Sequence, residues 1–263
     1  MSLWFKTITE NIDSKLRFFC FPYAGGSAHV FSNWSKKFSS DIDVFALQSP
    51  GRGVRFSEEP ISCLKTKLSI LEEEIKPYLD KPCIFVGHSN GALLAFELAR
   101  KIDSYKKGVI QHLILSAKRP PHLESKNKGI HKLPQQQFIE KLKDYKFTPD
   151  EILNNEELME VFTPMLRADF ALSETLSFDS SLQMDISTTI FWGNEDLDTP
   201  IEDLKKWKDL ISKELNYFEF SGGHFFINTH EDEFLNKVNK IVEEVKKSYE
   251  GLLFNSNLVS FYR

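Results

Sequence analysis

The stretch CIFVGHSNGALLAFELAR, residues 83–100, sets Ser89 between Gly87 and Gly91 where an apolar, strand-like run gives way to an apolar run with helical spacing. A nucleophile on a sharp turn leaving a strand is lifted above the sheet, and the helix that follows points its N-terminus at it. Such a turn brings backbone against backbone, so the residues two before and two after the serine must be small. The helix dipole and the amide of Asn90 would favour negative charge on a bound acyl oxygen. The plain alternative is a tight connection with a solvent-facing serine, and the strand before and helix after the motif argue against it.

Five further short runs rich in β-branched and aromatic residues punctuate the chain: 16–21, 43–47, 109–115, 188–192 and 216–220. Bounded by turn residues, they and 83–87 read as buried strands. Between them, Ile61, Leu64, Leu68, Leu71, Ile75 and Tyr78 repeat at threes and fours and line one helix face. Ile201, Leu204, Trp207 and Leu210 do the same, as do Phe234, Val238, Ile241 and Val245. Strands alternating with helices imply parallel pairing through crossovers, hence an α/β, mostly parallel, doubly wound sheet. With 23 Phe among 263 residues, its core should be strongly aromatic.

The alternation lapses from about Lys118 to Phe178, where no strand is expected, only helices over 134–145 and 156–176. Pro164 should kink or split the second of these. Long helical insertions of this kind commonly cover a site, so 118–178 is read as a lid inserted into one domain spanning 1–263. A packing subdomain with no gating role is the alternative.

A serine hydroxyl needs a base to take its proton and a third group to orient that base. After a strand–serine–helix elbow the acid and the histidine follow in chain order, each behind a late strand. In TTIFWGNEDLDTPIEDL (188–204), Glu195, Asp196 and Asp198 compete for the acid. Thr199-Pro200-Ile201-Glu202 reads as a helix start with Thr199 as cap. This puts Asp198 in a turn role and favours Asp196. Of seven histidines, His224 in YFEFSGGHFFI follows the last strand behind two glycines. His88 lies inside the elbow, His230 falls on the next helix, and His29, His112, His122 and His131 have no strand-end loop near the chemistry. A second oxyanion amide should come from the loop FCFPYAGGSAHVF (19–31), where Gly25 and Gly26 permit close approach.

The net charge of −5 disfavours a general nucleic-acid binder. Three cysteines form no disulfide framework and fit a reducing, cytoplasmic setting; Cys20 and Cys83 fall on expected core strands. No stretch approaches the roughly 20 apolar residues of a membrane span, and MSLWFKTITENIDSKLR lacks a signal-peptide core. No Cys/His spacing points to a metal.

In combination these segments resemble the stand-alone type II thioesterases that serve nonribosomal peptide and polyketide synthases, members of the α/β-hydrolase superfamily. The resemblance runs from Leu16 to Val245. FPYAGGSA matches the family's oxyanion loop, SPGRGVRFSEEP its proline-glycine-arginine segment, GHSNG the elbow, PMLRADFALSETL the lid helix, GNED the acid loop and GGHFF the histidine loop. It implies a catalytic Ser89, Asp196 and His224, with the amides of Ala24 and Asn90 as oxyanion donors. It also implies acyl groups on the phosphopantetheine arm of a carrier protein as substrate, no cofactor beyond that arm, and a monomer. Where Asn90 stands the family usually has methionine, so a more polar pocket is expected here, and the tail 251–263 has no counterpart. Thioesterase domains fused to synthases often carry the acid after the strand before the lid; here that strand ends LILSAKRPP, with no carboxylate.

The stretch AKRPPHLESKNKGIHK carries Lys118, Arg119, Lys126, Lys128 and Lys132 against Glu124. It is a candidate docking surface for an acidic carrier through charge complementarity, with a solvated basic loop as the alternative. A small-molecule carboxylesterase, an acyltransferase of the same fold and a non-catalytic binding protein are the rival functions.

Overall fold

The computed structural model describes residues 2–124, 128–144, 153–174 and 183–261. Seven strands form one sheet: β1 (Phe5–Thr9), β2 (Leu16–Phe21), β3 (Ile42–Leu47), β4 (Cys83–His88), β5 (Ile110–Ser116), β6 (Ser187–Gly193) and β7 (Leu215–Phe220). Their order is β1-β3-β2-β4-β5-β6-β7. Every pairing is parallel except β1 against β3. The six expected strands are therefore present. The seventh, β1, reads FKTIT and buries only Phe5 fully, so it lacks the continuous apolar run that marks a strand covered on both faces.

Alternate side chains of each inner strand serve opposite faces. Phe19, Phe21, Phe45 and Phe85 join α1 (Leu64–Ile75) and α2 (Asn90–Tyr105) in one core. Phe18, Cys20, Val44, Ile84 and Val86 face the other core, closed by α7 (Glu231–Phe261) through Phe234, Val238 and Ile241. The five phenylalanines named on these strands are at most 1% exposed, each worth about 1.5–3 kcal/mol relative to exposure. Helix α7 continues through residue 261, so most of the tail extends it; residues 262 and 263 lie outside the described residues. No helix among the described residues is long and apolar enough to cross a membrane.

Between β5 and β6 lie α3 (Gln135–Asp144) and α4 (Glu156–Glu174), with a small core of their own around Phe138, Leu142, Met159 and Leu166. Residues 125–127, 145–152 and 175–182, which fall within or beside the expected insertion, lie outside the described residues. Pro164 sits inside α4 without dividing it, so of the expected kink or split the split does not occur. The buried neighbours Met159, Thr163, Met165 and Leu166 hold both halves in register, which offsets the one hydrogen bond that proline removes. The helix expected over 201–210 is a single turn, α5 (Ile201–Leu204), followed by a 3₁₀ segment, Lys205–Asp209. Its cap also differs. Pro200 is the cap residue, because the Thr199 hydroxyl donates to the Asp196 carboxylate at 2.6 Å instead.

Candidate active site

Ser89 adopts φ 55° and ψ −117°, the strained backbone expected of a side chain presented on a sharp turn. A Cβ on Gly91 would lie 1.9 Å from the Phe21 carbonyl oxygen, and one on Gly87 would lie 2.2 Å from that of Gly91. Only glycines let α2 start directly against β2 and β4. The Ser89 amide donates to the Ser116 carbonyl at 2.8 Å, which fixes the elbow to the end of β5.

The loop after β6 and the loop after β7 bring the other two predicted residues in. His224 Nε2 is 2.9 Å from Ser89 Oγ, and His224 Nδ1 is 2.7 Å from Asp196 Oδ2. A carboxylate can only accept, so Nδ1 carries the proton, and Nε2 is left to accept from the serine hydroxyl. Asp196 Oδ2 also accepts from Thr199 Oγ1, and Oδ1 accepts from the Asp198 amide at 3.0 Å. Burial alone would raise the Asp196 carboxyl; the hydrogen bonds from His224, Thr199 and the Asp198 backbone outweigh it and hold the group below the ordinary carboxylate range. Gly222, at φ 99°, takes the left-handed turn that returns His224 toward the elbow.

His88 has a role that spacing did not disclose. Its Nε2 donates to the His224 carbonyl at 2.8 Å, and its Nδ1 accepts from Ser116 Oγ at 2.8 Å. Full burial drives its pKa down to about 3, so it is a neutral strut holding the His224 backbone. The remaining histidines are elsewhere: His112 bonds Thr189, His131 pairs with Glu174, His122 faces Asp209, and His230 caps α6 (Phe226–Thr229) rather than lying within a helix. His29 departs from expectation, since it lines the cleft described below.

The loop after β2 forms a turn closed by the Gly26 amide on the Tyr23 carbonyl at 2.9 Å, with Gly25 at φ 77°. Ala24 occupies its second position. Asn90 is the first residue of α2, where backbone amides have no partner within the helix. Its side chain is buried against α4: Nδ2 donates to the Asp169 carbonyl at 2.6 Å, and Asn90 is 7% exposed. Beside the turn runs a cleft of about 580 Å³ whose walls include Tyr23, Val30, Phe56, Phe162, Met165 and Leu166. Those walls are mostly apolar and come from both the sheet side and α4.

The basic stretch is partly paired within the protein. Arg119 pairs with Asp203 at 2.8 Å and Lys128 with Glu124 at 2.6 Å; Lys118 is half-buried, its pKa lowered by burial to about 8. Lys132 is exposed, and Lys126 lies outside the described residues.

The family profile for the thioesterase domain matches residues 17–242. The gramicidin S biosynthesis protein GrsT of Aneurinibacillus migulanus is 36% identical over 224 residues, covering 85% of this chain and 88% of GrsT. Among solved structures, ClbQ from the colibactin NRPS/PKS pathway superposes with a TM-score of 0.82 at 28% identity, over 89% of this chain and 99% of ClbQ. The type II thioesterase BorB from the borrelidin biosynthetic cluster gives 0.81 at 25% identity, over 91% of this chain and 97% of BorB. A parallel sheet bearing an elbow serine, matched along nearly its whole length to these proteins, has the α/β-hydrolase fold, and the chain belongs to the thioesterase domain family of thioester hydrolases.

Proposed function

We propose that the protein hydrolyses acyl groups from the phosphopantetheine arm of a carrier protein in nonribosomal peptide or polyketide synthesis, through an acyl-enzyme on Ser89. The observation that carries this reading is the unbroken hydrogen-bond chain from Ser89 through His224 to Asp196. His224 takes the hydroxyl proton as Ser89 Oγ attacks the thioester carbonyl, and the amides of Ala24 and Asn90 receive the oxyanion. The carbon–sulfur bond breaks, and the arm leaves as a thiol with that proton. A water then attacks the serine ester, giving its proton to His224. The carboxylic acid departs, and the serine regains its hydrogen. Asp196 orients the imidazole and offsets its transient positive charge. Serine, imidazole and carboxylate supply nucleophile, base and orienter, so the chemistry needs no cofactor of the protein's own.

The carrier-bound substrate is supported by the similarity to GrsT, ClbQ and BorB, which belong to gramicidin S, colibactin and borrelidin biosynthesis. The apolar cleft beside the Tyr23–Gly26 turn accords with a chain-like substrate. In this reading the insertion over 118–178 is the lid, and the three free cysteines accord with a cytoplasmic setting. The test compares an acyl carrier protein, acyl-coenzyme A and a simple oxygen ester as substrates, with Ser89→Ala as control. The expectation is preference for the carrier thioester, free acid as product, a serine-bound acyl group detected by mass, and a loss of about 10⁴-fold or more in Ser89→Ala. Near-native turnover in that variant overturns the mechanism. Preference for the oxygen ester makes the protein an esterase, and acyl transfer without free acid makes it a transferase.

A further inference from the structure

Asp169 lies in the middle of α4, is 3% exposed, and touches both candidate oxyanion-bearing segments at once. Its side chain takes the Gly25 amide through Oδ2 at 2.8 Å, and its backbone carbonyl takes the Asn90 side chain at 2.6 Å. Gly25 is one peptide unit from Ala24. The Ala24 and Gly25 amides take no part in the turn's closing hydrogen bond, which runs from the Gly26 amide to the Tyr23 carbonyl. Capturing the Gly25 amide leaves that of Ala24 for a substrate oxygen. Asn90 carries the other amide. A single residue of the insertion therefore braces the two groups whose separation defines an oxyanion site.

A bare carboxylate this close to a developing oxyanion would oppose it. Arg52 meets Asp169 with two parallel bonds, Nη1 to Oδ2 at 2.6 Å and Nη2 to Oδ1 at 3.0 Å, and Nη1 also donates to the Gly26 carbonyl at 3.1 Å. Lys67 Nζ lies 3.9 Å from Oδ1. Arg52 and Lys67 thus offset the charge of the Asp169 carboxylate from two sides. Gln48 completes the brace: its Nε2 donates to the Arg52 carbonyl at 2.7 Å, and its Oε1 accepts from the Ala28 amide at 3.2 Å.

We infer that Asp169 is a positioning residue of the reaction: through Gly25 and Asn90 it couples the α4 insertion to both oxyanion amides, so that transition-state stabilisation depends on how α4 is seated. The inference rests on the acyl-enzyme reading above. Losing one oxyanion donor outright costs about 100- to 1000-fold in kcat, so loosening two should cost roughly tenfold or more. The test measures a small acyl thioester and a trifluoromethyl ketone, which forms a tetrahedral adduct with the serine. For Asp169→Asn the expected result is kcat lowered about tenfold or more with KM within about twofold, and ketone affinity weakened by the same factor as kcat/KM. Asn90→Ala keeps its backbone amide and loses only the bond to α4; it should show the same pattern at about threefold. A loss confined to KM, or unchanged ketone affinity, overturns the inference. If Asp169→Asn does not fold, Asn90→Ala decides, and native kcat there overturns it. Turnover surviving in Ser89→Ala would instead remove the acyl-enzyme reading, which separates the two failures.

Discussion

Asp43, at the start of β3, and Asp169, on α4 beside the C-terminal ends of the strands, are both at most 3% exposed. Each gathers an arginine, a lysine and a backbone amide. Asp43 accepts from the Asn11 amide at 2.9 Å and from Ser14 Oγ at 2.5 Å, with Arg17 Nε at 3.5 Å and Lys81 Nζ at 3.8 Å. Its partners all precede or begin strands, so it ties the strand starts together. The Arg17 pairing is single and loose, and Arg17 also turns outward to bond Asp80. Asp169 is gripped bidentately, and its partners lead to the reactive turn and the elbow. Similar chemistry thus closes one end of the sheet and tunes the other; what differs is which loops the carboxylate holds.

The sharpest way to break that contrast is Asp43→Asn. Removing one member of a buried charged cluster costs about 3 kcal/mol of stability, while kcat of the folded protein should stay within about twofold of native by the same separation of sites. Urea unfolding and steady-state kinetics on one preparation check both, and a tenfold fall in kcat would erase the distinction between the two ends. An acid titration tests the reactive end next. His88 is held neutral down to about pH 3 against an ordinary value of 6.5. Between those values the unfolded chain binds a proton that the native chain does not. Stability should therefore fall on acidification from 6.5, with a slope of up to about 1.4 kcal/mol per pH unit from this group. His112, depressed to about 4 by burial, adds slope of the same sign. Asp196 is depressed in the usual carboxylate sense, so its contribution is present above the ordinary range and lost only as pH falls through its lower folded value. His88→Asn should flatten the curve between pH 6.5 and 4; an unchanged slope would mean that His88 is not the neutral strut. The smallest effect is expected at the exposed Lys128–Glu124 pair. Lys128→Glu should leave melting temperature and small-thioester turnover unchanged, and loss of carrier-bound turnover alone would make that loop the docking surface.

Much of the sheet was legible because burial on both faces writes itself as uninterrupted apolar runs, as in LRFFCF and CIFVGH. FKTIT was not, because an edge strand needs only one anchored side chain, Phe5. The elbow was readable for the same reason that it is rigid: Gly87 and Gly91 are required by contacts with backbone already implied by a strand and a helix. Chain order led to His224 and to the acid loop; within that loop Asp196 was preferred to Asp198 on the strength of the Thr199 helix start, and it is Asp196 that bonds His224. The Thr199 cap was misplaced because a hydroxyl within reach of a buried carboxylate has a stronger partner than a helix amide. Asp169 could be quoted within a helix signature, but its contacts to Gly25 and Arg52 span 144 and 117 residues. No local pattern encodes a partner that far away.

The near-contact of Gly91 with the Phe21 carbonyl has a consequence for how such a chain can diversify. Two main chains, not side chains, set the spacing between the elbow and the neighbouring turn, so substitutions that reshape the cleft beside that turn leave the gauge untouched. Phe162, Met165 and Leu166 on α4, or Val30 and Phe56 in the facing loops, can be exchanged to change the width and shape of the cleft while the station of Ser89 stays set by backbone alone.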